Sequence, residues 1–478
     1  MRINRVLAAL VITALTLGLG ACSSEQASAR SKQKIPLRIG VLQSPEIIAD
    51  PVAASGKDSE AFIYNTFQRL MTVESGTGLL KPDAAAECLF IDEVTYSCTL
   101  NTQMQFTNGN KLTASDVKFS IDRAKALSKP GTSGVFLDTL EEAVIVEEDR
   151  VDFKLNQPDN QFGHVLASPA ASIVDEEVYS ATKIRPSAEA PVGSGPVQVI
   201  KHTEDELGYW SNTDYRGRNP AQTINQVIRT FDSPEEMRRA AEAGELDAIW
   251  DAAAMETIPE GFHEDRFTNG RVQWLRWNPE SKLREQADVR EYVRDAVQPM
   301  RSMRSILPRG TDTAVPVFDT GQRQPRSPRP ASLKLWHEDL PDQEVVAENV
   351  ASLLEEDQAV TVELTTKASE ADLYLEDVKP WVRTPIAWFQ PYLEDPLPGT
   401  EERNAQAVAE MRSAFTQPRK QEASTRLQQY VHDDATVVPL TVEDQRVHLG
   451  PTVELSRENE MENYMAPGFQ LGVWGFSL

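Results

Sequence analysis

From Ile35 onward, short apolar runs of strand length alternate with segments in helical period, and that alternation confines the chain to α/β architecture. Ser233-Pro234-Glu235-Glu236 supplies an N-cap, a proline at the first helical position and acids in the first turn; Gly244 then stops the helix ahead of the strand-like Leu246-Asp247-Ala248-Ile249. Thr113 and Asp116 have capping-box spacing, and Val117, Ile121 and Ala124 follow on one face, so a helix begins near residue 114. Farther on, the stripe Val346, Val350 and Leu353 precedes a strand over 360–364, which predicts a second α/β unit. Two amphipathic stretches, 402–415 with Val408, Met411 and Phe415 and 418–433 with Leu427, Tyr430 and Val431, predict surface helices on that unit. Pro325, Pro328 and Pro330 make 319–332 a loop or a boundary.

A chain of 478 residues with 40% hydrophobic and 25% charged residues buries a sizeable core and divides into roughly three compact units. Its 48 Lys and Arg against 73 Asp and Glu leave a net charge of −25, which repels a phosphate backbone and argues against a nucleic-acid partner. His164, His202, His263, His337, His432 and His448 fall in no HExxH or Cys/His metal spacing, so no metal or cofactor is expected. Gly56-Lys57 lacks the earlier glycine of a phosphate loop, and Gly193-Ser194-Gly195 is not a nucleophile elbow. An enzyme is therefore not expected, although a carboxylate pair assembled from distant loops leaves no local signature.

The first 21 residues read as a signal peptide: Arg2 and Arg5, an apolar stretch from Val6 to about Leu19, then small residues. The competing transmembrane reading falls short, because Val6 to Ala21 is shorter than the roughly 20 residues needed to span hydrocarbon. Leu19-Gly20-Ala21-Cys22 resembles the bacterial lipobox, which implies cleavage before a lipidated Cys22 and a two-chain anchor on the outer side of a membrane, with 22–34 as a tether. Cys88 and Cys98 then remain as an even pair in an exported protein. A hairpin turning at Asp92-Glu93-Val94 sets them directly opposite, within disulfide reach; two unpaired thiols packed as small hydrophobes are the alternative.

Phe62 to Met71, Leu79 to Glu87, Phe106 to Gly109 with Leu112 to Val117, and Val192 to Pro196, taken in order, resemble segments of the extracellular solute-binding proteins of ABC importers that include the dipeptide, oligopeptide and nickel binders. Phe62 to Met71 is similar to the family's early helix and Leu79 to Glu87 to its "tPdLAe" segment. Phe106 to Gly109 with Leu112 to Val117 and Ser120 resembles "F.dG.pltA.DV..S". Val192 to Pro196, Asn212 to Gly217, Gly244 to Asp247, Asp288 to Arg290 and Asp434 to Leu440 follow in the family's order, so the likeness covers about 35–478. GSGPV replaces the family's GTGPY, the proline usual near Thr436 is missing, and Gln298-Pro299 interrupts the helix where the family commonly has an Asp-Arg-Glu run. Peptide-binding members usually carry an Asp four residues before the proline matched by Pro385; Trp381 stands there, with Arg383 two residues later, unless the alignment shifts to Glu376 or Asp377.

The resemblance implies an α/β, two-lobed periplasmic-binding-protein-like fold with an extra subdomain in the first lobe and a ligand cleft between lobes. It places the first lobe at 35–275 plus 446–478, its extra subdomain at 62–189, and the second lobe at 276–445. Cleft walls are expected at Gln43, Ser44, Trp250, Asp251, Trp277, Asn278, Trp381, Arg383 and Trp388, with core packing or a solvated loop as the competing reading of each. The implied protein is a monomeric, lipid-anchored receptor on the extracytoplasmic face of the cell membrane, passing a peptide or related small solute to the permease and ATPase of an ABC transporter. A degenerate binding protein acting as scaffold or signalling module, and an exported hydrolase, are the alternatives. With Trp381 and Arg383 in place of the usual Asp, the site is expected to favour an anionic group beside indole rings.

Overall fold

A computed structural model describes residues 36–455 and 476–477, apart from 43–48, 54–58, 74–78, 130–132, 204, 219–224, 251, 309–310, 312, 322–327, 340, 379, 381 and 383. Cys22 and the tether lie outside the described residues. No described helix is long and apolar enough to cross a membrane.

The strands are β1 (Leu37–Val41), β2 (Met71–Val73), β3 (Leu80–Pro82), β4 (Ala85–Asp92), β5 (Thr95–Leu100), β6 (Leu140–Glu147), β7 (Arg150–Leu155), β8 (Val197–His202), β9 (Glu206–Ser211), β10 (Asn225–Thr230), β11 (Ala248–Ile249), β12 (His263–Trp277), β13 (Ala331–Trp336), β14 (Val360–Thr365), β15 (Leu373–Val378) and β16 (Val437–Leu449). Ten of them form one sheet in the order β14-β13-β15-β12-β16-β11-β1-β10-β9-β8. The long antiparallel pair β12 and β16 joins its two halves, and a register shift between Thr268 and Arg271 interrupts their ladder. On one side of that irregularity Val447 and Leu449 pack with Leu37, Ile39 and Ala248 in the first lobe's core. On the other, Leu275, Leu333, Leu373 and Val438 share the second lobe's core.

The lobe boundaries follow from which core each strand residue enters. Val272 and Trp274 already pack in the second lobe, so on β12 that lobe begins ahead of the expected residue 276. On β16 the change falls between Val442 and Val447. The extra unit is also smaller than 62–189. Phe62, Ile63, Phe67, Val174 and Tyr179 belong to the first lobe's core, whereas the unit's own cluster runs from Leu70 to Ile173. Its sheet is antiparallel in the order β4-β5-β7-β6. Cys88 and Cys98 are register partners there and form a disulfide, with Cα atoms 4.1 Å apart.

The helices that frame the lobes are α1 (Ser59–Thr66), α2 (Ala114–Leu127), α3 (Phe162–Val165), α4 (Pro234–Glu242), α5 (Ala287–Ala296), α6 (Pro341–Glu355), α7 (Pro385–Glu394), α8 (Glu401–Arg412) and α9 (Gln417–Asp434). Thr113 and Asp116 close the capping box of α2, and Val117, Ile121 and Ala124 are buried beneath it. Ser233 caps α4, Gly244 takes φ +74° past its end, and the chain returns as β11. Asp247 then takes a bidentate contact from Arg38 of β1, fixing the register of the return. The core-facing stripe of α6 is Gln343, Ala347, Val350 and Leu354, which leaves the expected Val346 and Leu353 on its half-buried flanks.

Candidate functional site

In the first lobe β1 is parallel to β10 and β11, and in the second β13 is parallel to β14 and β15. Strand direction decides where these bundles end. Ile249 lies opposite His448, on the side of β16 nearer the second lobe, so β11 and its parallel neighbours run toward the crossing. Val378 lies opposite Val272, the residue of that pairing nearest the first lobe, so β15 runs toward the first lobe from the other side. The carboxyl ends of both parallel sets therefore converge on the crossing, where open α/β sheets present their binding loops.

Of the expected cleft residues, Gln43, Ser44, Asp251, Trp381 and Arg383 lie outside the described residues. Trp250 follows β11 at its carboxyl end, half-buried against the first lobe's core, with its backbone N–H on the Gly40 carbonyl at 3.0 Å. Trp277 and Asn278 do not stand at the crossing. A strand advances about 3.3 Å per residue, so Trp277 sits roughly 16 Å beyond Val272, at the far end of β12. Its ring is 1% exposed in the second lobe's core, and Asn278 donates from its side chain to the Ala371 carbonyl at 2.6 Å. Trp388 is likewise interior, fully buried on α7 with its ring edge-on to Trp274 at 6.4 Å. The competing reading as core packing describes all three, because indole burial inside a lobe outweighs exposure to a cleft.

The loop that leaves β15 contributes differently from expectation. Val382 and Ala387 belong to the hydrophobic cluster of the small antiparallel unit, which also holds Leu70, Ala167 and Ala171. The Gln161 side chain accepts from the Ile386 N–H, and Asn160 donates from its side-chain amide toward the carbonyls of Met411, Arg412 and Ala414 at 2.7, 2.8 and 2.9 Å. The small unit thus rests on both ends of the second lobe's α7–α8 region. No spacing in the sequence announces these contacts, since their partners lie more than 200 residues apart.

The matching family is described as bacterial extracellular solute-binding proteins, family 5 middle region, and it covers residues 80–298. Those residues match this family's model. Relatives include the peptide transport periplasmic protein SapA of Salmonella typhimurium, 27% identical over 56% of this chain and 53% of its own length. The glutathione-binding protein GsiB of Escherichia coli is 25% identical over 35% of this chain and 31% of its own. The chain spans about half the length or less of the curated relatives it matches. Among solved structures, a dipeptide-binding protein from Pseudoalteromonas sp. SM9913 in complex with Met-Leu has TM-score 0.72 at 15% identity, covering 92% of this chain and 99% of that one. NikZ from Campylobacter jejuni in complex with Ni(L-His) has the same TM-score and identity, covering 93% and 99%. These likenesses show the two-lobed fold.

The two acids to which the expected ammonium partner could shift differ in their surroundings. Glu376 accepts from Trp274 Nε1 at 3.1 Å and from both Nε and a terminal nitrogen of Arg276, and Asp395 stands 3.7 Å from the same guanidinium. A carboxylate neutralised this way has little field left for an ammonium ion. Asp377 lies opposite Gln273, one residue before Val378, and so closer to the crossing. Among the described residues no group of three His, Cys, Asp or Glu side chains converges to hold a metal ion.

Proposed function

We propose that the protein is an extracytoplasmic solute receptor, anchored through Cys22, that takes a peptide or related small solute between its lobes and delivers it to the permease of an ABC importer. The observation that carries the reading is the convergence of both parallel strand sets on a crossing made by β12 and β16. A joint of two strands lets the lobes rotate, and a solute touching both stabilises the closed arrangement by its differential affinity. The names of the relatives support a peptide-like solute, since SapA is a peptide transport protein and the Pseudoalteromonas structure holds Met-Leu. The lipobox ahead of Cys22 supports the anchor.

Native mass spectrometry of protein purified without denaturation is expected to show a retained small molecule that leaves on unfolding. Fractionation of cells carrying Cys22→Ser is expected to move the protein from membrane to soluble fraction. No retained mass together with no binding of peptides by calorimetry would overturn the receptor reading. Unchanged membrane association of Cys22→Ser would overturn the anchor alone.

A further inference from the structure

We infer that Arg69 receives a carboxylate of the solute at the seam between the first lobe, the small antiparallel unit and the second lobe. The inference names a chemical class for the proposed solute and rests on the receptor reading.

Arg69 is 3% exposed, and its guanidinium carries five N–H donors. Within the described residues one of them reaches the Phe67 carbonyl at 2.8 Å, the plane lies 4.3 Å from the Tyr64 ring centroid, and Nε is buried without a partner. No described acid pairs with it. Other buried arginines are answered: Arg123 by Asp50, and Arg301 by the carbonyls of Pro439, Asp319 and Arg294. Arg284 also has an unpartnered Nε, but it lies in the field of Asp395 and Asp434. A buried charge without a counter-ion is costly, and a chain with 73 acids has no shortage of candidates to offset it. The absence of a described acid at this position points to one that arrives with the solute.

Three further polar atoms around the same stretch are buried without partners: Thr66 Oγ1, Ser172 Oγ and Ser194 Oγ. The backbone brings their segments together. Gly195 N–H donates to the Thr66 carbonyl at 2.9 Å, and Ile173 N–H donates to the Gln68 carbonyl at 2.8 Å. A Cβ on Gly195 would stand 2.4 Å from the Asn65 carbonyl, so the close approach requires glycine there. Leu70 and Ala171, the neighbours of Arg69 and Ser172, share a hydrophobic cluster with Val382 of the loop after β15 and Ala387 of the helix that follows it. A guanidinium at this seam suits a planar carboxylate, which accepts two parallel N–H bonds.

A purely structural Arg69, pinning Phe67 and stacking on Tyr64, is separable by experiment. Calorimetry would compare trialanine, its C-terminal amide and N-acetyl-trialanine on the full mature chain and on Arg69→Gln and Arg69→Lys. Thermal melts in succinate or phosphate against chloride at equal ionic strength would provide a reading that needs no peptide. The free acid is expected to bind about tenfold or more tighter than the amide. Arg69→Gln should level the two while Arg69→Lys keeps part of the difference, and succinate or phosphate should raise the melting temperature of the wild type but not of Arg69→Gln. A structural role would instead weaken acid and amide alike. Equal binding of acid and amide by the wild type, or an acid preference that survives in Arg69→Gln, overturns the inference and leaves the receptor reading intact. A wild type that responds to no peptide and to neither anion overturns both.

Discussion

Asp50 and Arg123 form an ion pair with side chains 0% and 1% exposed, tying Asp50 to α2, whose apolar face lies in the small unit's cluster. Arg123 also donates to the Ser180 and Lys183 carbonyls, and Asp50 accepts from the Arg185 N–H, so every charge in the pair is surrounded by hydrogen-bonding groups. The pair fixes the end of the segment that leaves β1 at the crossing. Removing one partner strands the other charge in the interior. Asp50→Ala is expected to lower unfolding free energy by about 3 to 5 kcal/mol in urea titrations. Adding Arg123→Leu to that variant should restore part of the loss, because the stranded charge goes with it.

The Cys88–Cys98 bridge closes a short hairpin, so its effect through the unfolded chain is modest. Replacing both by Ser should lower stability by about 2 to 3 kcal/mol, and reducing agent added to the wild type should produce the same shift in denaturant midpoint. A reductant effect much larger than that of the double variant would contradict the single-bridge account.

His448 lies on β16 opposite Glu264 and is 2% exposed. Burial lowers its pKa from the ordinary 6.5 against the opposing pull of Glu264, and Arg446 adds to the lowering. In the window below 6.5 the unfolded chain therefore binds the proton that the folded chain resists, and stability falls as pH drops. The slope of unfolding free energy between pH 6.5 and about 5 should be shallower in His448→Gln than in the wild type.

Asn160 holds the last turn of α8 from the small unit, and four hydrogen bonds depend on it, three from its amide and one from its backbone N–H to the Arg412 carbonyl. The neighbouring Arg412–Asp138 ion pair, at 2.9 Å, is half exposed on the Asp138 side and adds little. Asn160→Ala leaves carbonyls short of donors and should lower stability by about 1 to 3 kcal/mol, with faster hydrogen exchange confined to the end of α8 and the start of α9. Asp138→Ala should leave exchange there nearly unchanged.

Much of the local architecture was legible because its chemistry closes within a few residues. The capping box of Thr113 and Asp116, the Ser233-Pro234 start and Gly244 stop of α4, and the opposition of Cys88 and Cys98 each depend on spacings of about ten residues or fewer. The ordered likeness to a solute-binding family likewise carried the two-lobed fold. What the tertiary structure decided was which side of each element meets which lobe. Trp277 looked like a residue at the crossing, yet the length of β12 carries it to the far end of the second lobe's core. Val382 and Ala387 sit in the small unit's cluster, and Asn160 reaches α8. Arg69 carries no local signal in the sequence, and only packing removes it from water with no described acid beside it. Helix caps and hairpins are set by bonds between near neighbours, which a sequence records directly. A seam is set by where long strands end and what the rest of the chain brings to them, and only the folded coordinates hold that sum.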